Sequence, residues 1–287
     1  MIRSDLQRNP VGETDAMHYL SDFDVPGSGW ADHYEAQPYG NFKYEVYPMM
    51  VAMIATLADG AQVLDIGAGT GHLAAEFVRT HPGRRLAFTL LDNSSAMLAI
   101  AARKLAGLGC TPPARMIHRS SFTGQGLDGI GRFHLIASNN TPYPTDPRAL
   151  VAYYRRMAEH LEPGGAILVQ QPFLLDQGGS IYGQHPFMRF LAITCPQLLE
   201  NPMISASEAP VQASAKEAAK RRHQEAMAAA TAAGDMIAEP QAGWGFTTVQ
   251  AHLDALQDQG LIATTIWRKR NFAVILAVFP EGKSFGA

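Results

Sequence analysis

The hydrophobic and polar positions follow one repeating order between residues 44 and 171. Short apolar runs, which are typical of buried strands, alternate with longer segments whose apolar residues have helical spacing. The runs that predict strands cover residues 62–66, 86–91, 114–118, 133–138 and 166–171. The segments that predict helices cover residues 44–57, 71–81, 94–106 and 146–161. This order predicts parallel strands joined by crossovers on both faces of one sheet.

The end of the chain predicts a different connection. A helix over residues 248–259 precedes two apolar strands over residues 261–267 and 272–279, and only the segment 268–271 separates these strands. Because so short a gap cannot hold a crossover helix, the two strands pair antiparallel. The second strand is apolar on both faces, so we expect it inside the sheet. The predicted fold class is therefore α/β, with a doubly wound, mostly parallel seven-stranded sheet and a terminal antiparallel hairpin.

Two segments outside this alternation divide the chain into four parts. Residues 1–43 are predicted to form an N-terminal arm or lid, and residues 44–171 a Rossmann-like, ligand-binding core. Residues 172–245 carry no strong strand signal but include an alanine-rich helix former, so we interpret them as a helical lid inserted for substrate binding. Residues 246–287 supply the helix and hairpin that complete the core sheet.

Composition narrows the classes of function. Hydrophobic residues make up 47% of the chain and the formal net charge is -3, so the sequence offers a large core but no basic footprint for nucleic acid or an anionic membrane. The two cysteines have no metal-binding spacing and fit a reducing compartment. We expect a cytoplasmic protein without a resident metal, whose partner is a small molecule; a homodimer is left open.

The stretch VLDIGAGTGHLA, residues 63–74, carries the strongest sign of a ligand. Gly67, Gly69 and Gly71 follow a predicted strand and precede a predicted helix, a position where the backbone approaches a ligand closely. A dinucleotide site needs G-x-G-x-x-G, but His72 occupies the place of its third glycine. Asp65 lies two residues before the first glycine, which favours a ligand with a cationic amine over one with a pyrophosphate.

The motif VLDIGAGTG, together with the terminal hairpin, resembles the class I S-adenosylmethionine-dependent methyltransferases over roughly residues 40–171 and 245–280. The resemblance implies S-adenosylmethionine as the cofactor. It implies that Asp65 and the segment Gly67, Ala68, Gly69 hold the methionine part, and that Asp92 accepts hydrogen bonds from both ribose hydroxyls. The other cofactor contacts that it implies are Asn93, Ser120, Ser121 and Phe122 near the adenine, and Ser138 and Asn139 near the sulfonium.

No motif of the sequence identifies the residues that would bind the methyl acceptor. In the lid, His185 is the candidate general base because an unperturbed histidine titrates near pH 6.5. Tyr182 and Arg189 lie close to it in the sequence and are candidates for acceptor binding. Tyr39, in a group with Tyr34 and Tyr44, is a further candidate, since an aromatic ring there could cover the sulfonium by a cation–π contact.

The resemblance favours a methyltransferase that acts at O, N or C of a small-molecule acceptor, with specialised metabolism as the expected context. Three alternatives stay open. Asn140-Thr141-Pro142-Tyr143 is a variant of the [DN]-P-P-[YF] signature of planar-amine methyltransferases, which makes Asn140 a substrate ligand and Tyr143 a catalytic candidate. The segments LLDNSSAML and WRKRNFAVILA are similar to carboxy-S-adenosylmethionine synthases, although the last predicted helix lacks the expected arginine. A non-catalytic cofactor-binding partner subunit is the third. The sequence identifies neither the acceptor nor the need for a base.

Overall fold

A seven-stranded mixed sheet forms the centre of the computed structural model. The structure describes residues 21–36, 41–120, 125–141, 143–172, 209–233, 244–245, 247–269, 272–280, 283 and 285–286. Its strands are β1 (Gln62–Ile66), β2 (Ala87–Asp92), β3 (Arg115–His118), β4 (Phe133–Asn139), β5 (Tyr143–Pro144), β6 (Leu161–Pro172), β7 (Trp244–Gly245), β8 (Ile262–Lys269) and β9 (Phe272–Val278). The order in the large sheet is β3-β2-β1-β4-β6-β9-β8, and β5 pairs with β7 separately.

The pairing confirms the predicted topology. Strands β3, β2, β1, β4 and β6 are parallel, whereas β9 pairs antiparallel with both β6 and β8. Strand β9 therefore lies inside the sheet, as its two apolar faces predicted. The switch from β1 to β4 places the carboxyl ends of these strands beside a crevice, which is where ligands bind in open α/β sheets.

Helices cover both faces of the sheet. They are α1 (Trp30–Ala36), α2 (Asn41–Ile54), α3 (His72–Thr80), α4 (Ser95–Gly107), α5 (Pro147–Glu159), α6 (Ala209–Ala232) and α7 (Val249–Gln257). One core layer joins Val63, Leu90 and Leu168 to residues of α2, α3 and α4. The other joins Ile66 and Ile136 to residues of α5 and α7. Burial of these two apolar faces is the main force that holds the sheet and helices together.

Several element boundaries differ from the sequence prediction. Helix α2 begins at Asn41 and ends at Ile54, earlier at both ends than the predicted range 44–57, so Pro48 lies in its interior. Helix α4 includes Gly107, and the left-handed residue that follows it is Gly109. Strand β6 begins at Leu161, five residues before the start of the predicted strand 166–171, and its pairing register with β4 shifts near this end.

The N-terminal part of the chain is more regular than the predicted loose arm where it is described. Asp22–Asp24 forms a 3-10 turn and Trp30–Ala36 forms α1. Both pack against α4, where Met97 and Ile100 form a small apolar cluster with Ala31. In the described residues, no helix combines the length and apolar character that crossing a bilayer needs.

Candidate functional site

A small polar pocket lies at the carboxyl ends of β1 and β4. Its wall combines the glycine loop, the first turn of α3 and residues of α1 and α2. The lining residues are Tyr34, Tyr47, Asp65, Gly67, Ala68, Thr70, His72, Leu73 and Asn139. Four of them, Asp65, Gly67, Ala68 and Asn139, are residues that the sequence assigned to a cofactor. The structure therefore brings the ends of two separate strands together as the motif implied.

Glycine is needed at the three positions of the loop for different physical reasons. All three adopt positive φ, with values of 66° at Gly67, 54° at Gly69 and 72° at Gly71. A Cβ atom at Gly67 would lie 2.1 Å from Thr141 Oγ1, and one at Gly71 would lie 2.9 Å from Ala101 Cβ. At Gly69 a Cβ atom would meet nothing within 4 Å. Packing within the protein thus requires the first and third glycines, and the second leaves open space for a ligand.

Asp65 is the most unusual charged group of the pocket. The residue is only 3% exposed, and no hydrogen bond to its carboxylate is found among the described residues. Burial, and secondly the charge of Asp92, raise the pKa of Asp65 to about 8. A buried carboxylate without a partner is costly unless a cation pairs with it. The donor set therefore fits a ligand that brings an ammonium group.

Asp92 joins the glycine loop to the start of α4. Its Oδ2 accepts a hydrogen bond from the Gly69 N–H at 2.7 Å, and its Oδ1 accepts one from the Ser94 N–H at 2.9 Å. Burial raises the pKa of Asp92, and these two hydrogen bonds act in the opposite direction. Each carboxylate oxygen keeps a second acceptor site, so the geometry leaves Asp92 able to accept from ribose hydroxyls. The neighbouring Asn93 carbonyl contacts His118 Nε2 at 3.0 Å.

Asn139 and Tyr47 form the side of the pocket at the end of β4. Asn139 Nδ2 donates a hydrogen bond to the Tyr47 hydroxyl at 2.9 Å. Burial, followed by the nearby Tyr34 and Asp65, raises the pKa of Tyr47 well above its usual value, so the phenol stays protonated. The sequence interpretation missed Tyr47, which follows Tyr44 at helical spacing in α2. That spacing was the available signal, but the predicted aromatic group ended at Tyr44.

The structure places other predicted residues away from this pocket. Ser138 is buried on the opposite face of β4 from Asn139, because side chains alternate along a strand. Tyr143 is also buried, with its ring 5.4 Å from Tyr153 and 5.0 Å from His252, and burial raises its pKa far above the usual value. Asn140 is exposed. These surroundings do not favour Tyr143 as a base or Asn140 and Tyr143 as a planar-amine clamp.

Some predicted residues lie outside the pocket or outside the described part of the chain. Ser120 is half-buried and does not line the pocket. Six candidates fall outside the described residues, so their roles stay predictions: Tyr39, Ser121, Phe122, Tyr182, His185 and Arg189.

Residues 21–36, which belong to the predicted N-terminal arm or lid, hold one wall of the pocket. Asp24 accepts hydrogen bonds from the Ala96 N–H at 2.8 Å and the Ser95 N–H at 3.1 Å, at the N-terminus of α4. Glu35 accepts a hydrogen bond from Lys104 at 2.7 Å, and its carboxylate lies 3.2 Å from His72 Nε2. These contacts fix residues 21–36 against α3 and α4, so that Tyr34 faces the pocket.

The sheet order, the glycine loop and the buried carboxylate beside it define a Rossmann-like core of the methyltransferase type. Residues 63–165 match the family described as "Methyltransferase domain". Within residues 63–165 the chain thus carries a class I S-adenosylmethionine-dependent methyltransferase domain.

Two sequence relatives illustrate the range of acceptors among similar proteins. The chain is 34% identical over 120 residues to ribosomal RNA small subunit methyltransferase C of Pseudomonas aeruginosa (strain LESB58), covering 40% of this chain and 33% of that protein. It is 34% identical over 115 residues to trans-aconitate 2-methyltransferase of Deinococcus radiodurans, covering 39% of this chain and 38% of that protein. The chain thus spans little more than a third of the length of these relatives.

Solved structures share the fold at low sequence identity. Magnesium protoporphyrin IX methyltransferase from Synechocystis PCC 6803, with bound SAH, has a TM-score of 0.53 and 12% identity over 88% of this chain and 96% of that chain. An O-methyltransferase family protein from Burkholderia thailandensis has a TM-score of 0.50 and 15% identity over 83% of this chain and 57% of that chain. At such identities the likeness concerns the fold.

Proposed function

We propose that the protein transfers a methyl group from S-adenosylmethionine to O, N or C of a small-molecule acceptor. The buried carboxylate of Asp65, in a pocket that Gly67 and Ala68 of the glycine loop also line, is the observation that supports cofactor binding most directly. The chemistry that the cofactor supplies is an electrophilic methyl group on a sulfonium. A ligand that made no contact with Asp65, such as a plain nucleoside, would leave this carboxylate buried and without a partner among the described residues.

The residues of the chain contribute mainly by positioning. Asp65 binds the ammonium group of the methionine part, and Asp92 accepts hydrogen bonds from the ribose. Asn139 and the Tyr47 hydroxyl form a polar wall where the methyl group is presented, and Tyr34 closes the pocket from α1. Because holding two reactants in line contributes several kcal/mol to a displacement reaction, such a site needs no further catalytic group for an acidic acceptor.

A small-molecule acceptor is supported by the insertion between β6 and α7. Its helix α6 contacts α1, where the His223 ring stacks on Trp30 with centroids 4.8 Å apart. The insertion thus touches the element that carries Tyr34, and a covered site suits a small acceptor that must be shielded from water. Because the Tyr47 phenol stays protonated, an acceptor with a high pKa would need a base from the insertion, for which His185 is the candidate.

One experiment distinguishes the proposed function from a nucleic-acid acceptor and from a non-catalytic role. Purified protein is titrated with S-adenosylhomocysteine by calorimetry and then incubated with S-adenosylmethionine and a panel of phenols, amines, carboxylic acids and ribosomal RNA. We expect binding, followed by release of S-adenosylhomocysteine with at least one small acceptor. Binding without turnover would favour the partner-subunit alternative, and turnover only with RNA would replace the small-molecule acceptor. No affinity for S-adenosylhomocysteine would contradict the whole proposal.

The variant Asp65→Ala tests the proposed contact between Asp65 and the cofactor. It removes the partner of the ammonium group, so we expect affinity for S-adenosylhomocysteine to fall by about 10- to 100-fold, the range typical of a lost charge-assisted hydrogen bond. Asp59→Ala is the control, because Asp59 is an exposed carboxylate that pairs with Arg84 far from the pocket.

A further inference from the structure

Two contacts hold the peptide unit between Ile66 and Gly67, where β1 enters the glycine loop. The Gly67 N–H donates a hydrogen bond to the Leu91 carbonyl of β2 at 2.8 Å. The Ile66 carbonyl accepts one from the Thr141 hydroxyl at 3.1 Å, the shorter of the two contacts that this hydroxyl makes. Because a peptide unit is planar, contacts at its N–H and at its C=O together fix its orientation. Thr141 therefore helps to set the direction in which the glycine loop leaves the sheet.

Thr141 also fills the space directly beside Gly67. A Cβ atom added at Gly67 would lie 2.1 Å from Thr141 Oγ1 and 2.8 Å from its Cγ2. Thr141 is 6% exposed and does not line the pocket, whereas Gly67 and Ala68 do. The influence of Thr141 on a ligand in this pocket therefore passes through the glycine loop and not through direct contact.

The turn that carries Thr141 connects the glycine loop with the end of β4. Asn139, two residues earlier, lines the pocket. Between them, Asn140 has a positive φ of 55°, a conformation that asparagine tolerates better than most residues, and its N–H donates to the Gln170 carbonyl of β6 at 2.7 Å. The chain thus passes from the β6 side of β4 back to the β1 side, where Thr141 reaches Ile66.

The glycine loop needs support from outside because its glycines have no side chains to pack. Gly67, Gly69 and Gly71 all have positive φ, and glycine loses more conformational freedom on ordering than any other residue. Asp92 restrains the loop at Gly69, whose N–H it accepts at 2.7 Å. Thr141 provides the corresponding restraint at Gly67. A loop that is held in its binding conformation before the ligand arrives costs less free energy to order on binding.

We infer that Thr141 is a positioning residue for the cofactor, whose hydroxyl holds the Ile66–Gly67 peptide in the orientation that binds S-adenosylmethionine. This inference rests on the proposed function. It gives the stretch 140–143 a role other than clamping a planar amine, since Thr141 stands where the [DN]-P-P-[YF] signature has a proline, which carries no hydroxyl. The role depends on the hydroxyl and not on the size of the side chain, so two substitutions can separate the hydroxyl from the methyl group.

The test compares Thr141→Val, which keeps the shape of the side chain without the hydroxyl, with Thr141→Ser, which keeps the hydroxyl without the methyl group. Calorimetry is expected to show that affinity for S-adenosylhomocysteine falls about tenfold in Thr141→Val and stays within about twofold in Thr141→Ser, because only valine releases the Ile66 carbonyl. Thr80→Val is the control and is expected to bind like the wild type. The Thr80 hydroxyl also donates to a carbonyl, that of Glu76 at 2.6 Å, but at an exposed position of α3.

Urea denaturation of the same variants distinguishes positioning from a purely structural role. Both Thr141 variants are expected to lower the midpoint, valine through the lost buried hydrogen bond and serine through the lost buried methyl group. Affinity that follows the hydroxyl and not the midpoint supports the inference. Affinity that falls in both variants, affinity retained in Thr141→Val, or a Thr141→Val protein that does not fold would overturn the inference alone. Wild-type protein that does not bind S-adenosylhomocysteine overturns the proposed function as well.

Discussion

The Glu35 carboxylate and the Lys104 ammonium, 69 positions apart in the sequence, are joined by a hydrogen bond of 2.7 Å. Burial raises the pKa of Glu35, but the hydrogen bond from Lys104, the nearby Thr70 hydroxyl and the charge of His72 outweigh it and leave the pKa below its usual value. The carboxylate is therefore ionised at neutral pH and attracts both bases. Because Tyr34 precedes Glu35 in α1, this pair determines how firmly one wall of the cofactor pocket is held.

Replacing Glu35 by Gln is expected to weaken cofactor binding without altering the fold. The change removes the charge that holds α1 to Lys104 and His72, a partly buried contact worth roughly 1 kcal/mol, which corresponds to about a fivefold rise in the dissociation constant. Stopped-flow measurement of S-adenosylhomocysteine release is expected to show a higher off-rate. Glu76→Gln, which breaks only a pair with Arg79 on the exposed side of α3, serves as the control. Equal off-rates in the two variants would rule out a role for the Glu35 contact in holding the ligand.

Replacing Asp24 by Ala is expected to lower stability through helix α4. Asp24 accepts from the Ser95 and Ala96 N–H groups, which have no partner within the helix. Loss of such a cap costs about 1 kcal/mol of unfolding free energy. Asp22→Ala is the control, because Asp22 lies in the same 3-10 turn and, in the part of the chain that the structure describes, does not bind the start of α4. Urea denaturation checks the prediction, and an unchanged midpoint for Asp24→Ala would contradict it.

The core elements followed from local chemistry and could be predicted from the sequence. The range of β1 is the predicted one, Gln62–Ile66, because a short apolar run bounded by polar residues and a glycine loop leaves little freedom. The internal position of β9 followed from its two apolar faces. By contrast, the start of α2 and the course of residues 163–165 depend on tertiary packing, which overrides the local preference of Pro48, Pro163 and Gly165.

The site was predictable where a motif fixes the backbone and not where side chains converge from distant segments. Asp65 and the glycine loop belong to one continuous turn, so their sequence spacing is enough to place them together. Glu35, Lys104 and His72 meet through the packing of three separate helices, which no local pattern encodes. Ser138 was misplaced for a geometric reason: it and Asn139 both end β4, but successive residues of a strand face opposite sides of the sheet.

Two tyrosine variants compare a hydroxyl at the pocket, that of Tyr47, with one in the core, that of Tyr143. Tyr47→Phe removes the hydroxyl that accepts from Asn139 Nδ2, so we expect turnover of the acceptor found in the panel to fall about tenfold through misplacement of that amide. Tyr143→Phe is expected to retain turnover within about twofold, since the Tyr143 hydroxyl is buried away from the pocket. Initial rates at saturating S-adenosylmethionine test both. The reverse result, with Tyr143→Phe inactive and Tyr47→Phe unchanged, would restore the catalytic prediction for Tyr143.

The protonation state of Asp65 makes the stability of the free protein depend on pH. Its pKa in the folded protein is about 8, whereas an unfolded aspartate titrates near 3.9, so between these values the folded state binds one proton more than the unfolded state. The stabilisation is thus complete below about pH 4 and is lost as pH rises towards 8, by up to about 1.4 kcal/mol per pH unit. In Asp65→Asn this contribution disappears, and urea denaturation between pH 6 and pH 9 measures the difference between the two slopes.

Binding of S-adenosylhomocysteine is expected to remove the proton from the Asp65 carboxyl group. An ammonium group beside Asp65 favours the carboxylate and brings its pKa below neutrality, so binding of S-adenosylhomocysteine at pH 7 releases close to one proton. Calorimetry in phosphate and in Tris, whose ionisation enthalpies differ, yields the number of protons from the difference between the apparent binding enthalpies. At pH 9 the carboxylate is already ionised in the free protein and the release vanishes. Proton release at pH 7 that persists in Asp65→Asn would show that another group titrates on binding and that Asp65 is not the partner of the ammonium.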